Sequence, residues 1–146
     1  MQRSIATRLL LLCALSVPAY AAEFRSVAEL AVLYDAPSLK SIKRFVLGPG
    51  YPLEVLVRLD NMTKVRDSGG DIGWVENKTL SETRTVIVNA ANAEVRANPA
   101  PDAQVVFRAD KGLLLEVDET LSNGWVKVRH RDGESGYIRT GAVWGL

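Results

Sequence analysis

Residues 111–139 read KGLLLEVDETLSNGWVKVRHRDGESGYIR, and this stretch decides the fold. Three short apolar-rich runs are cut by two tight turns, Ser122-Asn123-Gly124 and Asp132-Gly133. Asn-Gly and Asp-Gly between alternating runs are the strongest short-range signals of a β-hairpin, because both residue pairs tolerate the positive φ that such turns need. Side chains alternate faces along a strand, so Leu113, Leu115 and Val117 point one way, as do Val126 and Val128. These are the predicted core residues. Trp125, Lys127 and Arg129 then share the opposite face.

The same text occurs earlier in the chain. Residues 31–59 shifted by 62, and residues 64–73 shifted by 63, meet identical residues at 13 of 39 positions. Among them are Pro37/Pro99, Phe45/Phe107, Gly50/Gly112, Leu53/Leu115, Val65/Val128 and Gly73/Gly136. Unrelated sequences of ordinary composition would agree at roughly 2 or 3. The chain is therefore a tandem duplication of a unit of about 60 residues.

Working outward, the second copy adds short β-rich runs at 86–88, 93–96 and 104–108, with a proline-punctuated loop at 98–102. The first copy follows the same plan at 30–34, 43–47, 53–58, 62–66 and 72–75. About five short strands per copy, spaced near ten residues apart, predict an all-β chain of two small antiparallel barrels. A single 3₁₀ turn is predicted near 77–80 and near 140–143. The linker at 80–85 is short and lacks glycine and proline, which predicts close contact between the copies.

Residues 1–21 read as a cleaved signal peptide: Arg3 and Arg8, an apolar run from Leu9, and Ala19-Tyr20-Ala21 before the cut. The apolar run is far short of the ~20 residues that cross a bilayer. The expected product is exported, periplasmic or secreted, with no membrane insertion. Its predicted domains are 24–82 and 83–146. Cys13, the only cysteine, falls in the leader, which leaves no thiol or disulfide in the product. Removing the leader takes Arg3 and Arg8 from 18 basic residues, leaving 16 against 17 acidic ones and a net charge of −1. That balance argues against nucleic acid as a partner.

The order of motifs in the second copy carries a resemblance. Ala93-Glu94-Val95-Arg96 and Pro99 are followed by Lys111-Gly112 before an apolar strand, Asn123-Gly124-Trp125-Val126-Lys127-Val128, and Asp132-Gly133…Gly136-Tyr137-Ile138. This series resembles the bacterial SH3 (SH3b) domain family. The first copy is similar, with Tyr34 where Arg96 stands, Met62 in place of the strand tryptophan, and Gly73-Trp74-Val75 intact. The resemblance covers about residues 26–144. It implies small β-barrels that bind rather than catalyse, in proteins that are often exported or wall-associated, several of which bind peptidoglycan or its peptides.

Chemistry-bearing patterns are sparse. His130 is the only histidine and lies at a charged strand end, between Arg129 and Arg131. The carboxylates show no calcium-loop spacing, and Gly133-Glu134-Ser135-Gly136 fails the nucleophile-elbow pattern by one residue. No enzyme, cofactor or metal site is expected. The binding expectation rests on aromatic and basic residues of one face: Trp125, Tyr137, Arg96, Lys127, Arg129 and Arg139, with Tyr34, Tyr51 and Trp74 as counterparts in the first copy. An exposed ring beside guanidinium groups suits a peptide or glycopeptide bearing carboxylates. The competing reading packs Trp125 and Tyr137 against the other copy or the Trp144-Gly145-Leu146 tail. The expected function is recognition of cell-envelope peptides, peptidoglycan first. A periplasmic protein–protein adaptor or assembly factor is the alternative.

Overall fold

The computed structural model describes residues 20–146, so the leader assigned to 1–21 lies almost wholly outside the described residues. The first repeat contains β1 (Glu23–Val27), β2 (Ala31–Tyr34), β3 (Lys43–Leu47), β4 (Pro52–Arg58), β5 (Met62–Arg66), β6 (Ile72–Glu76) and β7 (Leu80–Ser81). The second contains β8 (Thr85–Val88), β9 (Ala93–Arg96), β10 (Val105–Ala109), β11 (Leu114–Thr120), β12 (Trp125–Arg129), β13 (Ser135–Arg139) and β14 (Val143–Trp144). Single 3₁₀ turns at Asn77–Thr79 and Thr140–Ala142 precede the last strand of each repeat, where the sequence predicts them.

The sheets have strand orders β3-β2-β6-β5-β4-β1-β7 and β10-β9-β13-β12-β11-β8-β14, so each strand sits where its counterpart seven places earlier does. The correspondence extends to irregularities. The β4–β5 ladder is bulged between Val55 and Val57, and the β11–β12 ladder between Val117 and Glu119. A bulge adds twist and helps a short sheet curl into a barrel. Each sheet has seven strands rather than about five. The extra pieces are β1, at Glu23–Val27, and the two-residue strands β7 and β14, too short to show alternation in sequence.

Interior positions are equivalent across the repeats. Leu33, Leu53, Val65 and Val75 fill the first core, while Val95, Leu115, Val128 and Ile138 fill the second, all at most 1 % exposed. Leu113 and Val117 are half-buried against the second core, and Val126 is fully buried in it. Gly73 and Gly136 hold equivalent places where neighbouring chain passes too close for a side chain. A Cβ would stand 2.7 Å from the Tyr34 carbonyl oxygen at Gly73 and 2.6 Å from that of Arg96 at Gly136.

The repeats dock through their termini. The Phe24 ring of β1 meets the Trp144 ring of β14 edge-on, with centroids 5.1 Å apart and planes at 89°. Arg84 of the linker lies 5.8 Å over Phe24 and donates to the Gly145 carbonyl at 2.9 Å. Ser26 Oγ donates to the Thr83 carbonyl, and Thr85 Oγ1 donates to the Gly50 carbonyl, each at 2.7 Å. The short linker thus joins two units in direct contact, as predicted.

Candidate functional site

Strand register places the predicted residues of the second repeat on one face. Tyr137 pairs with Arg96 on one side and Lys127 on the other, and Arg139 pairs with Trp125. The first repeat carries the matching row Tyr34, Trp74, Lys64. Parity along the strands is therefore right for all of these side chains. Their exposure is not as predicted.

Trp125 is only 3 % exposed and Tyr34 only 5 %. The Arg139 guanidinium lies 4.3 Å above the Trp125 ring, a cation–π stack that covers it within its own repeat. The tail's Trp144 packs edge-on against Phe24. The expectation of an exposed tryptophan platform is thus corrected: alternation fixes the side of a sheet, and the loop and long side chains above that side decide what stays open. Tyr137, Trp74 and Lys127 remain half-buried, and Lys64 Nζ sits 5.9 Å from the Trp74 ring. Tyr51 packs against the first core and shares a 2.6 Å hydrogen bond with Ser68 Oγ.

Two of the predicted cations are engaged internally. Arg96 donates to the Ala103 carbonyl at 2.6 Å and pairs with Glu94, so it fastens the loop 97–104 to its strand. Arg129 bridges Glu116 at 3.1 Å and Asp118 at 2.8 Å. His130 Nδ1 lies 2.8 Å from Asp132 Oδ2. The Glu134 backbone N–H, followed by His130, holds the Asp132 carboxyl below its ordinary range.

Clefts lie at overlapping places in the two repeats, sharing the equivalent positions Leu39/Pro101, Met62/Trp125 and Glu76/Arg139. In the second repeat the cleft is small, about 240 Å³, and lined by Trp125, Arg139, Arg96 and Pro101. In the first it is about 500 Å³, with Pro37, Leu39, Asp60, Asn61, Met62 and Glu76 in its walls. The smaller Met62 in the place of Trp125, and Glu76 in the place of Arg139, leave the first cleft open. Asn77 holds its shape. Its Nδ2 donates to the Leu59 and Asp60 carbonyls at 2.9 and 3.1 Å, and the buried Thr63 hydroxyl donates to its Oδ1 at 2.6 Å. Asp35 Oδ1 accepts from the Ile42 N–H at 3.0 Å, which ties off the facing loop.

Exposed apolar surface is concentrated around this repeat. Leu39 is 54 %, Ile42 70 %, Val57 45 % and Leu59 46 % exposed, and Leu30, Val46 and Ile72 are also open. The second repeat has Val106 alone in this class. Sequence reasoning missed Leu39, Leu59 and Met62. For Leu39 and Met62 the repeat comparison held a signal, since they align with Pro101 and Trp125, whereas Leu59 aligns with Leu121 and gave none; around them Leu30, Ile42, Val46, Val57 and Ile72 align with Asn92, Gln104, Arg108, Glu119 and Ser135. Among the described residues no cluster of three His, Cys, Asp or Glu side chains could hold a metal ion, and no helix is long and apolar enough to cross a membrane.

Comparison with known proteins agrees with the duplicated architecture. A family model described as bacterial SH3 domain matches residues 27–82 and again residues 89–145. The chain is 25 % identical over 125 residues to the probable endopeptidase p60 of Listeria monocytogenes, covering 85 % of this chain and 25 % of that protein. The protein of the same name from Listeria innocua is 25 % identical over 124 residues, covering 85 % and 26 %. The chain thus spans about a quarter of the length of these relatives. Among solved structures, NlpC1 of Trichomonas vaginalis aligns with a TM-score of 0.39 at 18 % identity, covering 93 % of this chain and 50 % of that one. An NlpC/P60 family protein of Bacillus cereus aligns with a TM-score of 0.39 at 13 % identity, covering 84 % and 56 %.

Proposed function

Because the chain belongs to the bacterial SH3 domain family and carries the domain twice, we propose that it is a non-enzymatic recognition protein of the cell envelope. It is exported to the periplasm or secreted, and it binds wall peptides, with peptidoglycan as the principal ligand. The observation that carries this reading is the open first-repeat cleft, flanked by exposed Leu39 and Leu59. Clefts of this size suit a few residues of an extended peptide, and contiguous exposed apolar groups are a mark of contact surfaces. In the second repeat Arg139, stacked over Trp125, takes the place of Glu76, and the half-buried Tyr137 and Lys127 stand on the same face of the sheet. Arg96 acts there by holding the loop, and Arg129, Tyr34 and Trp74 support the same faces. Partial likeness to proteins named as endopeptidases agrees with a module that meets peptides.

The purified chain should co-sediment with isolated sacculi, and Leu39→Ser should weaken this about tenfold, the scale of losing one buried leucine contact. Pelleting no greater than with a lysozyme-digested control would overturn the reading. The exposed Val46 and Ile72, which lie outside the lining of that cleft, favour a second reading as a protein–protein adaptor. Capture of one discrete envelope protein after wall removal would support it.

A further inference from the structure

A cleft of about 610 Å³ lies at the junction of the repeats, apart from both clefts above. Pro49 and Gly50 of the first repeat face Leu113 and Leu114 of the second, with Arg131 and His130 at one end. We infer that this junction cleft is a separate binding site for the C-terminal end of a short aliphatic peptide. Thr85, hydrogen-bonded to the Gly50 carbonyl, fixes one wall to the other, so the cleft exists only because the repeats are docked.

Charge bookkeeping selects the ligand. Around the cleft, Arg129 is occupied by Glu116 and Asp118, and His130 by Asp132. Arg131 is exposed and has no ion-pair partner among the described residues. A free guanidinium beside an apolar floor is complementary to a carboxylate that adjoins an aliphatic side chain, and Arg binds such a group through two parallel hydrogen bonds. The Glu116–Arg129 pair on the rim offers an acceptor and donors to peptide amides. A fatty acid would leave those groups unused.

The test is backbone amide shift mapping on the full chain with three probes: acetyl-Ala-Ala, acetyl-Ala-Ala-amide and octanoate. The free acid should give saturable shifts at Gly112, Leu114 and Arg131 with a dissociation constant of about 1 mM, ordinary for so small a ligand. The amide should bind at least about tenfold more weakly, Arg131→Ala should weaken the acid by a similar factor, and Arg131→Lys by less. Four results would overturn the site: no saturable shift at these residues, equal binding of the amide, equal binding of octanoate, or indifference to Arg131→Ala. Shifts confined to Leu39, Asn61 and Met62 would overturn the junction site while supporting the first-repeat cleft. Loss of sacculus binding by Leu39→Ser would leave the junction site standing.

Discussion

Strands β3 and β10 occupy the same place in the two repeats but face solvent differently. In the first repeat Val46 pairs with Val32; in the second Arg108 pairs with Glu94, with an ion pair of 2.8 Å. The interior pairs Leu53/Leu115 and Val65/Val128 are meanwhile unchanged. Dense packing explains why these interior pairs are kept and why Leu33/Val95 and Val75/Ile138 exchange only among aliphatic residues, because a core tolerates few changes of volume. No such rule keeps valine or leucine on a surface. Apolar groups left open on one copy and replaced by polar ones on the other are what the proposed contact of the first repeat rests on.

The deepest shared feature should be the hardest to alter. Gly73→Ala and Gly136→Ala each drive a methyl group into neighbouring backbone, and each should cost about 3 kcal/mol or more in urea unfolding. A loss below about 1 kcal/mol at either site would break the claimed equivalence of the interiors. A smaller effect separates the clefts. Asn77→Ala strips two carbonyls of their donor and leaves the buried Thr63 hydroxyl without its acceptor. It should therefore cost about 1–3 kcal/mol. Its counterpart Thr140 contributes a backbone N–H bond to the Gly124 carbonyl, which Thr140→Ala preserves, so that change should stay within about 0.5 kcal/mol. Equal thermal shifts would remove the distinction.

The smallest effect is in acid. Arg58 holds the Glu23 carboxyl below its ordinary value, as the Glu134 N–H does for Asp132. Both groups stay ionised to lower pH in the folded chain than in the unfolded one. Their contribution is present above the unfolded values and is lost as pH falls through the lowered folded ones. Glu23→Gln and Asp132→Asn should each slightly reduce the stability difference between pH 6 and pH 3, one readout for each repeat. An unchanged difference would show that neither contact matters.

Much of this architecture is legible in sequence. Strand β3 has the bounds its β-rich run gives, because Gly48-Pro49-Gly50 and the Pro37 loop punctuate it on both sides. Strand β1 escapes notice because Glu23-Phe24-Arg25-Ser26-Val27 alternates for only five residues beside the segment read as a leader. The binding surface is less legible. Trp125 falls on the predicted face, but its cover by Arg139 depends on a cross-strand neighbour 14 residues away and on a loop conformation. The junction depends on Phe24 meeting Trp144, which only the docking of the repeats brings together.

The first repeat's open cleft is the proposed contact surface. Its most direct test measures sacculus affinity of two double variants in parallel, Leu39→Ser with Leu59→Ser, and Pro101→Ser with Leu121→Ser at the corresponding places. A loss of about tenfold or more is expected for the first pair and little change for the second. Equal losses, or a greater loss from the second repeat, would contradict it.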